Sequence, residues 1–298
     1  MRQLNIGGMR IDRLVEIDRL PFDKTWLFAN ADDAVIDANR SWLDHRYIEP
    51  GTNSFILSHH SYVVRTPRWT AIVDTCCGNH KDRPRVPVWH QLNQPYLDNM
   101  RALGVRPEDV DFVMCTHLHV DHVGWNTRRH DGGWVPTFPK ARYLMGRIEY
   151  DHWERQHRLK PERPVNHGSF EDSVLPVVAA GQAEFVTSDH CLFDDPAAGL
   201  RFVPAPGHTI GNMMIDLRGG RDHAVLSGDV IHHPIQCAAP WLANAADFDP
   251  AAALATRLGL LRQLADTPSF LLTGHFPAPT AGRVVSHGDA FRFRFEDD

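Results

Sequence analysis

The sequence predicts an α/β fold, which some schemes class as α+β. Short apolar runs recur along the chain, as at 110–115, 200–204 and 268–272, and are typical of buried strands. Histidine, aspartate or glycine follows each of these runs within a few residues. Apolar residues recur every three or four positions at 88–104 and 249–264, which predicts helices with one buried face. In such folds the polar residues that follow strands usually carry the chemistry.

The remaining elements follow from the same patterns. Residues 17–50 carry several aromatic side chains without clear periodicity. We expect residues 1–50 to be an N-terminal extension that acts as a lid or a dimer arm; ordinary packing is the alternative. No boundary indicates a second domain, so residues 1–298 are expected to form one domain. Further strands are predicted at 8–16, 53–58, 61–66, 69–74, 141–145, 213–217 and 223–227, and further helices at 146–156 and 169–178.

The composition narrows the class of protein. The chain has 31 Lys and Arg against 37 Asp and Glu, a formal net charge of −6, which gives no electrostatic case for binding nucleic acid or an anionic membrane. No apolar run is long enough to span a bilayer, and the first residues lack the apolar segment of a signal peptide. The five cysteines follow no disulfide or zinc-ribbon pattern, so we expect a reducing cytoplasm.

The loop at 116–122 concentrates potential metal ligands. It contains His117, His119, Asp121 and His122 directly after a predicted strand. Imidazole and carboxylate groups bind zinc and similar divalent ions well. In an extended loop the two alternate histidines point the same way and can bind one metal, whereas the last two ligands follow a turn and can bind a second. A solvated polar loop is the simpler alternative, but four such residues at a strand end favour a metal site.

Three later strand ends each place one further candidate beside a glycine. These residues are His208, Asp229 and His275. Singly, each is a common turn residue; together with the loop they form a set of seven ligands for two metals. Asp74 lies at the end of another predicted strand. We expect it to orient the metal-ligand loop by hydrogen bonding without binding metal itself, and a turn-capping role is the alternative.

With this order of motifs, His-x-His-x-Asp-His followed by single His, Asp and His, the chain resembles the metallo-β-lactamase superfamily over nearly its whole length. The resemblance implies an αββα sandwich with two metals at one edge. The ligands that it implies are His117, His119 and His208 for one zinc, Asp121, His122 and His275 for the other, and Asp229 as the bridge between them.

Hydrolysis follows from such a site. Two cations about 3.5–4 Å apart can share a hydroxide, because metal binding lowers the pKa of water from ~15.7 toward ~7. The hydroxide would attack a carbonyl or phosphoryl centre, and Asp121 could pass a proton to the leaving group. A non-catalytic binding protein that uses metal only for stability is the alternative, but structural zinc sites are usually rich in cysteine, and none falls in this set.

The resemblance also narrows the range of substrate classes that we expect. A bridging aspartate is typical of lactonases, glyoxalase II-like thioesterases and organophosphate hydrolases, whereas true β-lactamases usually carry Cys or Ser there. The chain lacks the basic C-terminal segment with which glyoxalase II binds glutathione, and His119 replaces the Glu of the diiron branch. We therefore expect two Zn²⁺ per chain, with other divalent metals as alternatives, and a small-molecule lactone or neutral hydrophobic ester as substrate, as in N-acyl homoserine lactonases. An organophosphate or aryl ester hydrolase is the alternative.

The pocket is expected to be apolar. Many of the lactonases carry a tyrosine three residues after the bridging aspartate, where it hydrogen-bonds the substrate carbonyl. This chain has His232, which could donate the same bond or pack beside the metals. We expect no nucleic-acid or membrane partner, and a homodimer is compatible with the aromatic N-terminal arm. The residues expected to line the pocket are Trp26, Trp125, His232, His233 and Phe276.

Overall fold

The computed structural model describes residues 3–296. The strands in the first two thirds of this range are β1 (Leu4–Ile6), β2 (Met9–Phe22), β3 (Phe55–Arg65), β4 (Thr70–Val73), β5 (Phe112–Met114), β6 (Thr127–His130), β7 (Gly133–Pro136), β8 (Arg142–Gly146) and β9 (Ala183–Val186). Seven of them form a mixed sheet in the order β1-β2-β3-β4-β5-β8-β9, and β6 and β7 form a separate hairpin.

The last third supplies a second seven-stranded sheet, whose spatial order is the chain order. Its strands are β10 (Cys191–Phe193), β11 (Gly199–Pro204), β12 (Met213–Gly219), β13 (Asp222–Leu226), β14 (Phe270–Leu272), β15 (Ala281–His287) and β16 (Ala290–Phe295). Only β13 and β14 pair in parallel, because helical chain connects them, whereas the other neighbours pair antiparallel.

The α-helices are short except for two. They are α1 (Lys24–Leu27), α2 (Asp33–Asn39), α3 (Tyr96–Ala102), α4 (Arg147–Leu159), α5 (Leu175–Ala179), α6 (Ile235–Ala238) and α7 (Pro250–Leu264). The tight helical turns are Pro87–Trp89, Pro107–Asp109, Gly124–Asn126, Val165–Gly168 and Gly228–Val230, and a π-helical turn, Phe170–Val174, leads into α5. Within residues 3–296, no helix combines the length and the apolar character that crossing a bilayer requires.

The two sheets pack face to face, with helices on both outer sides. Apolar side chains from the inner faces share one buried cluster, which includes Ile11, Val64, Met114, Leu200, Ile215 and Leu226. The outer face of the first sheet packs on α3 and α5 through Met100 and Val177. The outer face of the second packs on α7 through Leu260, Leu261 and Leu264. The predicted αββα sandwich is therefore confirmed.

The N-terminal segment pairs with the first sheet and packs on the core. Strand β2 pairs with β3 from Arg10, opposite Arg65, to Phe22, opposite Phe55. Leu27 and Ile36, in the helices that follow, are buried in the same cluster as α7. That residues 1–50 act as a lid or a dimer arm stays a prediction; residues 1 and 2 lie outside the described range. Homodimer formation stays a prediction.

Several element boundaries differ from prediction. The two strands expected at 53–58 and 61–66 are one strand, β3, because the polar residues between them are buried with partners: Ser61 Oγ lies 2.6 Å from Tyr96 Oη. The helix expected at 88–104 is a turn followed by α3, since Gln91 adopts a left-handed conformation and Pro95 precedes the helix. Strands β1, β6, β7, β9, β10, β15 and β16 were not predicted.

The cysteines form no disulfide in the described residues. Cys76, Cys77, Cys115 and Cys237 are buried as free thiols, and Cys191 is exposed. Burial raises the pKa of the Cys237 thiol to about 12, so it stays protonated. The cytoplasmic location stays a prediction.

A close backbone approach holds the 116–122 loop in place. A Cβ added at Gly124 would lie 1.9 Å from the carbonyl of Cys77, whereas one added at Gly259, in α7, would meet no atom within 4 Å. We expect Gly124→Ala to lower the free energy of unfolding by about 3 kcal/mol, because the backbone must move. Gly259→Ala is expected to raise it by about 0.8 kcal/mol, because alanine favours a helix. Urea denaturation measures both changes, and equal changes would contradict this packing.

Candidate metal centre

Four strand ends deliver polar residues to one edge of the sandwich. The loop at 116–122 follows β5, His208 follows β11, Asp229 follows β13 and His275 follows β14. Backbone hydrogen bonds tie two of these segments to neighbouring strands: Met213 N, in β12, donates to Thr116 O at 2.9 Å, and Ser58 N, in β3, donates to His275 O at 2.8 Å. The seven predicted ligands therefore meet although they are spread over 159 positions, from 117 to 275.

Asp229 lies at the middle of the cluster. Its Oδ1 is 3.1 Å from His275 Nε2 and 3.2 Å from His122 Nε2. Its Oδ2 is 3.3 Å from His208 Nε2 and 3.8 Å from His117 Nε2. One carboxylate thus faces imidazoles from both predicted ligand sets, as a bridging ligand would.

The remaining two predicted ligands complete the sets. His119 Nδ1 lies 3.0 Å from His208 Nε2, and His117 belongs to the same close group of nitrogen atoms. Asp121 Oδ2 lies 3.6 Å from His275 Nε2 and 3.8 Å from His122 Nε2. The arrangement offers two neighbouring groups of donor atoms.

Hydrogen bonds on the outer side fix which ring nitrogen carries the proton. His122 Nδ1 lies 2.9 Å from Asp74 Oδ2, and His208 Nδ1 lies 2.9 Å from Asp247 Oδ1. A carboxylate oxygen only accepts, so each Nδ1 carries the hydrogen and donates it. The Nε2 of each ring then points at the centre and can give its lone pair to a metal ion that displaces any proton there.

The other two imidazoles with outer partners are oriented in the same way. His275 Nδ1 donates to Ser58 O at 3.1 Å. His117 Nδ1 donates to Thr116 Oγ1 at 3.0 Å, because that hydroxyl already donates its own hydrogen to Asp74 Oδ2. Four imidazole lone pairs therefore converge on the same two carboxylates.

This convergence requires positive charge between the groups. His117 Nε2, His122 Nε2 and Asp229 Oδ1 are buried and have no hydrogen-bond partner among the described residues. Lone pairs of nitrogen and carboxylate oxygen repel each other at these distances unless a proton or a metal ion lies between them. Nitrogen and oxygen donors of this kind suit a divalent metal centre.

The protonation states agree with this interpretation. Burial lowers the pKa of His119 to about 3, which keeps the ring neutral and able to bind metal. Burial alone would raise the pKa of Asp229, but the imidazoles of His122 and His275 outweigh it and hold the pKa well below its usual range. Burial opposes protonation of His208, but Asp229 and Asp247 outweigh it and raise its pKa to about 9. Metal binding at that ring therefore displaces a proton.

His232 and His233 have different surroundings. His232 Nε2 lies 3.1 Å from Asp229 Oδ2, so this nitrogen carries the hydrogen and directs it at the carboxylate. The donation to a substrate carbonyl expected of His232 stays a prediction. His233 Nε2 donates to Tyr47 O at 2.8 Å, and its Nδ1 accepts from Ile235 N at 3.2 Å. His233 is therefore a packing residue, which corrects its predicted place in the pocket.

A cavity of about 520 Å³ opens above the centre. One wall is apolar and largely aromatic, formed by Phe22, Trp26, Leu27, Leu57, Val86 and Trp89. The lining also includes polar side chains, among them Arg85, Asn166, His167 and Asn244. The floor carries His119, Asp121, His208, Asp229, His232 and His275, together with His59.

Two predicted pocket residues lie elsewhere. Trp125 is buried behind the 116–122 loop, where its Nε1 donates to Glu16 Oε1 at 2.6 Å and its ring stacks on Tyr96. Phe276 is fully buried against Phe293 in the core. Each follows or neighbours a ligand in the chain, but its side chain points into the protein, so the predicted pocket role is corrected. Trp26 does line the cavity.

The family of the chain follows from comparison with known proteins. The model of the metallo-β-lactamase superfamily matches residues 56–275, a range that contains every predicted metal ligand. The chain belongs to the metallo-β-lactamase superfamily. The match begins at β3, so β1 and β2 add to the first sheet of this superfamily member outside the matched region.

Curated relatives match only parts of this superfamily member. The N-acyl homoserine lactonase AiiB of Agrobacterium fabrum is 29% identical over 102 residues, which cover 30% of this chain and 33% of the relative. A probable metallo-hydrolase of Mycobacterium tuberculosis is 25% identical over 189 residues, 58% of this chain and 57% of the relative. The chain thus spans about a third of the first relative and just over half of the second.

Solved structures of the superfamily share the whole fold. A dizinc quorum-quenching lactonase, AidC, in complex with its product superposes with a TM-score of 0.77 at 20% identity, covering 99% of this chain and 96% of that chain. The hydrolase AbOPH superposes with a TM-score of 0.76 at 21% identity, covering 98% and 95%. At such identities the likeness establishes the fold alone.

Sequence reasoning missed three residues of this metallo-β-lactamase site. His59 lies within β3, and no strand end or glycine marks it. Asp247 lies in an irregular segment before α7, and nothing in its local sequence indicates its hydrogen bond to His208. Trp89 was assigned to a helix core but lines the cavity. The alternation of β3, which places His59 and His60 on opposite faces, was the one available signal.

Removal of the Asp247 carboxylate tests the orientation of His208. We expect Asp247→Ala to weaken zinc binding about 10- to 100-fold, because the ring loses the acceptor that fixes its tautomer. Competition with a chromogenic chelator measures the affinity. Asp216→Asn is the matched control, since Asp216 accepts from His223 Nε2 at 2.8 Å in a similar pair away from the centre. Equal zinc affinity of both variants would show that Asp247 does not orient the ligand.

Proposed function

We propose that this chain is a hydrolase that uses two zinc ions to open a lactone ring or cleave a neutral hydrophobic ester. One observation carries the proposal: Asp229, buried beneath an aromatic-walled cavity, faces lone pairs of four oriented imidazoles. The relatives described as N-acyl homoserine lactonases, and the fold shared with a dizinc lactonase, support the same conclusion.

The donor atoms divide into two metal sites that share one ligand. In this proposal His117, His119 and His208 hold one metal, Asp121, His122 and His275 hold the other, and Asp229 belongs to both. The bound pair would supply a water-derived nucleophile at neutral pH and offset the negative charge that develops on the attacked oxygen.

Asp121 is the residue best placed to move a proton. Its side chain is 12% exposed and lines the cavity, whereas the Asp229 side chain is 4% exposed. Burial opposes ionisation of Asp121, but the neighbouring imidazoles, led by His122, outweigh it and lower its pKa, so it enters the reaction as a carboxylate. We assign to Asp121 the acceptance of the proton that the water-derived nucleophile loses on attack, and the transfer of that same proton to the leaving oxygen.

The cavity supports a small substrate with an apolar part. Its volume of about 520 Å³ lies in the usual range for small-molecule sites, about 300–1,000 Å³. Phe22 stacks on Trp26, with ring centroids 4.7 Å apart, and Trp89 meets Trp26 edge-on at 6.1 Å. An acyl chain can lie against this surface while the carbonyl group faces the metal ligands.

The same aromatic wall favours a second candidate, hydrolysis of an aryl ester or phosphotriester. A flat aryl group would stack on Trp26 or pack beside Trp89 as readily as an acyl chain. The site offers the same nucleophile to either carbonyl or phosphoryl centres, so the order of rates on different substrates separates the two candidates.

Initial rates on four substrates test the proposal. The panel is a long-chain acyl homoserine lactone, an aryl ester, a phosphotriester and a β-lactam, each measured before chelation, after chelation and after zinc is restored. We expect the lactone to react fastest and the activity to follow zinc.

Asp229→Ala, run in parallel with metal analysis, is expected to lose the activity and at least one metal. Two retained metals in that variant would exclude the bridge, and faster aryl ester or phosphotriester cleavage would favour the second candidate.

The aromatic wall makes a separate prediction about substrate length. We expect Trp26→Ala to raise KM for a long-chain lactone about tenfold, because about half an indole surface is lost from the substrate contact. The effect should shrink with a short acyl chain. Trp241→Ala is the matched control: the two indoles are 49% and 48% exposed, but Trp241 does not line the cavity. Equal effects of the two substitutions would contradict this placement of the acyl chain.

A further inference from the structure

His59 is oriented differently from the four imidazoles of the centre that have outer hydrogen-bond partners. In His117, His122, His208 and His275, Nδ1 donates outward and the Nε2 lone pair points inward. His59 also lies on the cavity floor, with its ring centroid 5.1 Å from that of His275. Its ring is reversed, so that Nδ1 points toward Asp121 and Nε2 points away.

Trp89 determines the tautomer of His59. The indole Nε1 of Trp89 donates to His59 Nε2 at 3.2 Å. An indole nitrogen can only donate, so His59 Nε2 must hold a lone pair. In a neutral imidazole the hydrogen then sits on Nδ1.

The hydrogen on Nδ1 has no acceptor. His59 Nδ1 is buried and without a hydrogen-bond partner among the described residues. The nearest carboxylate oxygen, Asp121 Oδ2, is 3.7 Å away, which is too long for a hydrogen bond. A buried N–H without a partner is costly, and the ring that carries this one lines the cavity.

The same hydrogen argues against a metal-binding role. His59 Nδ1, Asp121 and His275 offer donor atoms within 4.8 Å of one another, so by distance alone they form a third ligand group. A protonated ring nitrogen has no lone pair to give, and Trp89 occupies the other one. His59 is thus a hydrogen-bond donor beside the metal ligands.

We propose that His59 is a substrate-binding residue whose Nδ1–H donates to the oxygen that leaves when the ester or lactone bond breaks. The inference rests on the proposed hydrolase function. Asp121, the neighbour of His59, is the group assigned to protonate that oxygen, so both face the same atom of the substrate. His232 cannot serve in its place while its own N–H is directed at Asp229.

A hydrogen bond from His59 to the leaving oxygen has a consequence for the relative rates on different substrates that a packing role of His59 would not have. Negative charge grows on the leaving oxygen as the bond breaks, so a donor there matters most when the leaving group is a poor one. The alkoxide of a lactone is such a leaving group, whereas a nitrophenolate is a good leaving group that needs little stabilisation by a hydrogen-bond donor. Loss of the donor should therefore slow lactone opening far more than aryl ester cleavage.

Two substitutions at position 59 test this difference. We expect His59→Leu to lower kcat for the lactone about 10- to 100-fold, with less than about a threefold loss on a nitrophenyl ester, as for removal of one transition-state donor. His59→Asn places an amide N–H near the position of Nδ1 and should recover most of the lactone rate. Metal analysis should find the wild-type metal content in both variants.

The tautomer is measured without reference to activity. A two-bond ¹H–¹⁵N spectrum of the zinc-loaded chain should show His59 with a protonated Nδ1 and an unprotonated Nε2, and added lactone product should shift the Nδ1 signal. Trp89→Phe removes the indole donor and should allow both tautomers. A spectrum with Nε2 protonated in the wild-type chain would overturn the inference.

Other results with the His59→Leu variant also test the proposed role of His59. Loss of a metal in His59→Leu would make His59 a ligand, and equal losses on both esters would make it a packing residue; either overturns the inference. If the wild-type chain hydrolyses neither ester, the proposed function fails by itself. The spectrum then decides on His59: a shift of its Nδ1 signal on addition of lactone supports a binding role, and no shift overturns it.

Discussion

The hydrogen bonds behind the histidines determine what the centre can do. Asp74, Asp247 and the carbonyl of Ser58 each accept from an Nδ1 and so turn the opposite lone pair toward Asp229. Without these acceptors the rings could rotate or exchange tautomers, and the cluster would be a set of polar side chains without common direction. The geometry of a metal site is therefore present in the protein framework itself.

The framework can do this because the two sheets end at the same edge. The outer acceptors come from different elements: Asp74 follows β4, Ser58 lies in β3, and Asp247 precedes α7. Packing of the inner faces fixes the sheets relative to each other, and with them the distance from each acceptor to its imidazole. A shift of one sheet by an ångström would lengthen several of these bonds together, so the centre and the core depend on each other.

The sequence predicted the parts of this structure that have local signals. The seven candidate ligands each follow a short apolar strand, and the strand ends do meet at one edge. His59 was missed because its role arises from Trp89, which lies 30 positions further along the chain. Trp125 was misplaced for the opposite reason: it is close to the ligands in the chain, but a buried acceptor, Glu16, turns its indole away. Contacts between distant segments leave no periodic trace in a sequence.

Most of the cavity wall and the metal ligands come from different pieces of chain. Most wall residues lie at 22–27, 85–89, 166–167 and 244–246, and none of these segments contains one of the seven ligands. Insertions and substitutions in these connections can alter which molecules enter while the hydrolytic apparatus stays intact. Because the wall segments are separate from the metal ligands, related enzymes can change their substrate range rapidly during evolution. The reaction that they perform is then inherited almost unchanged.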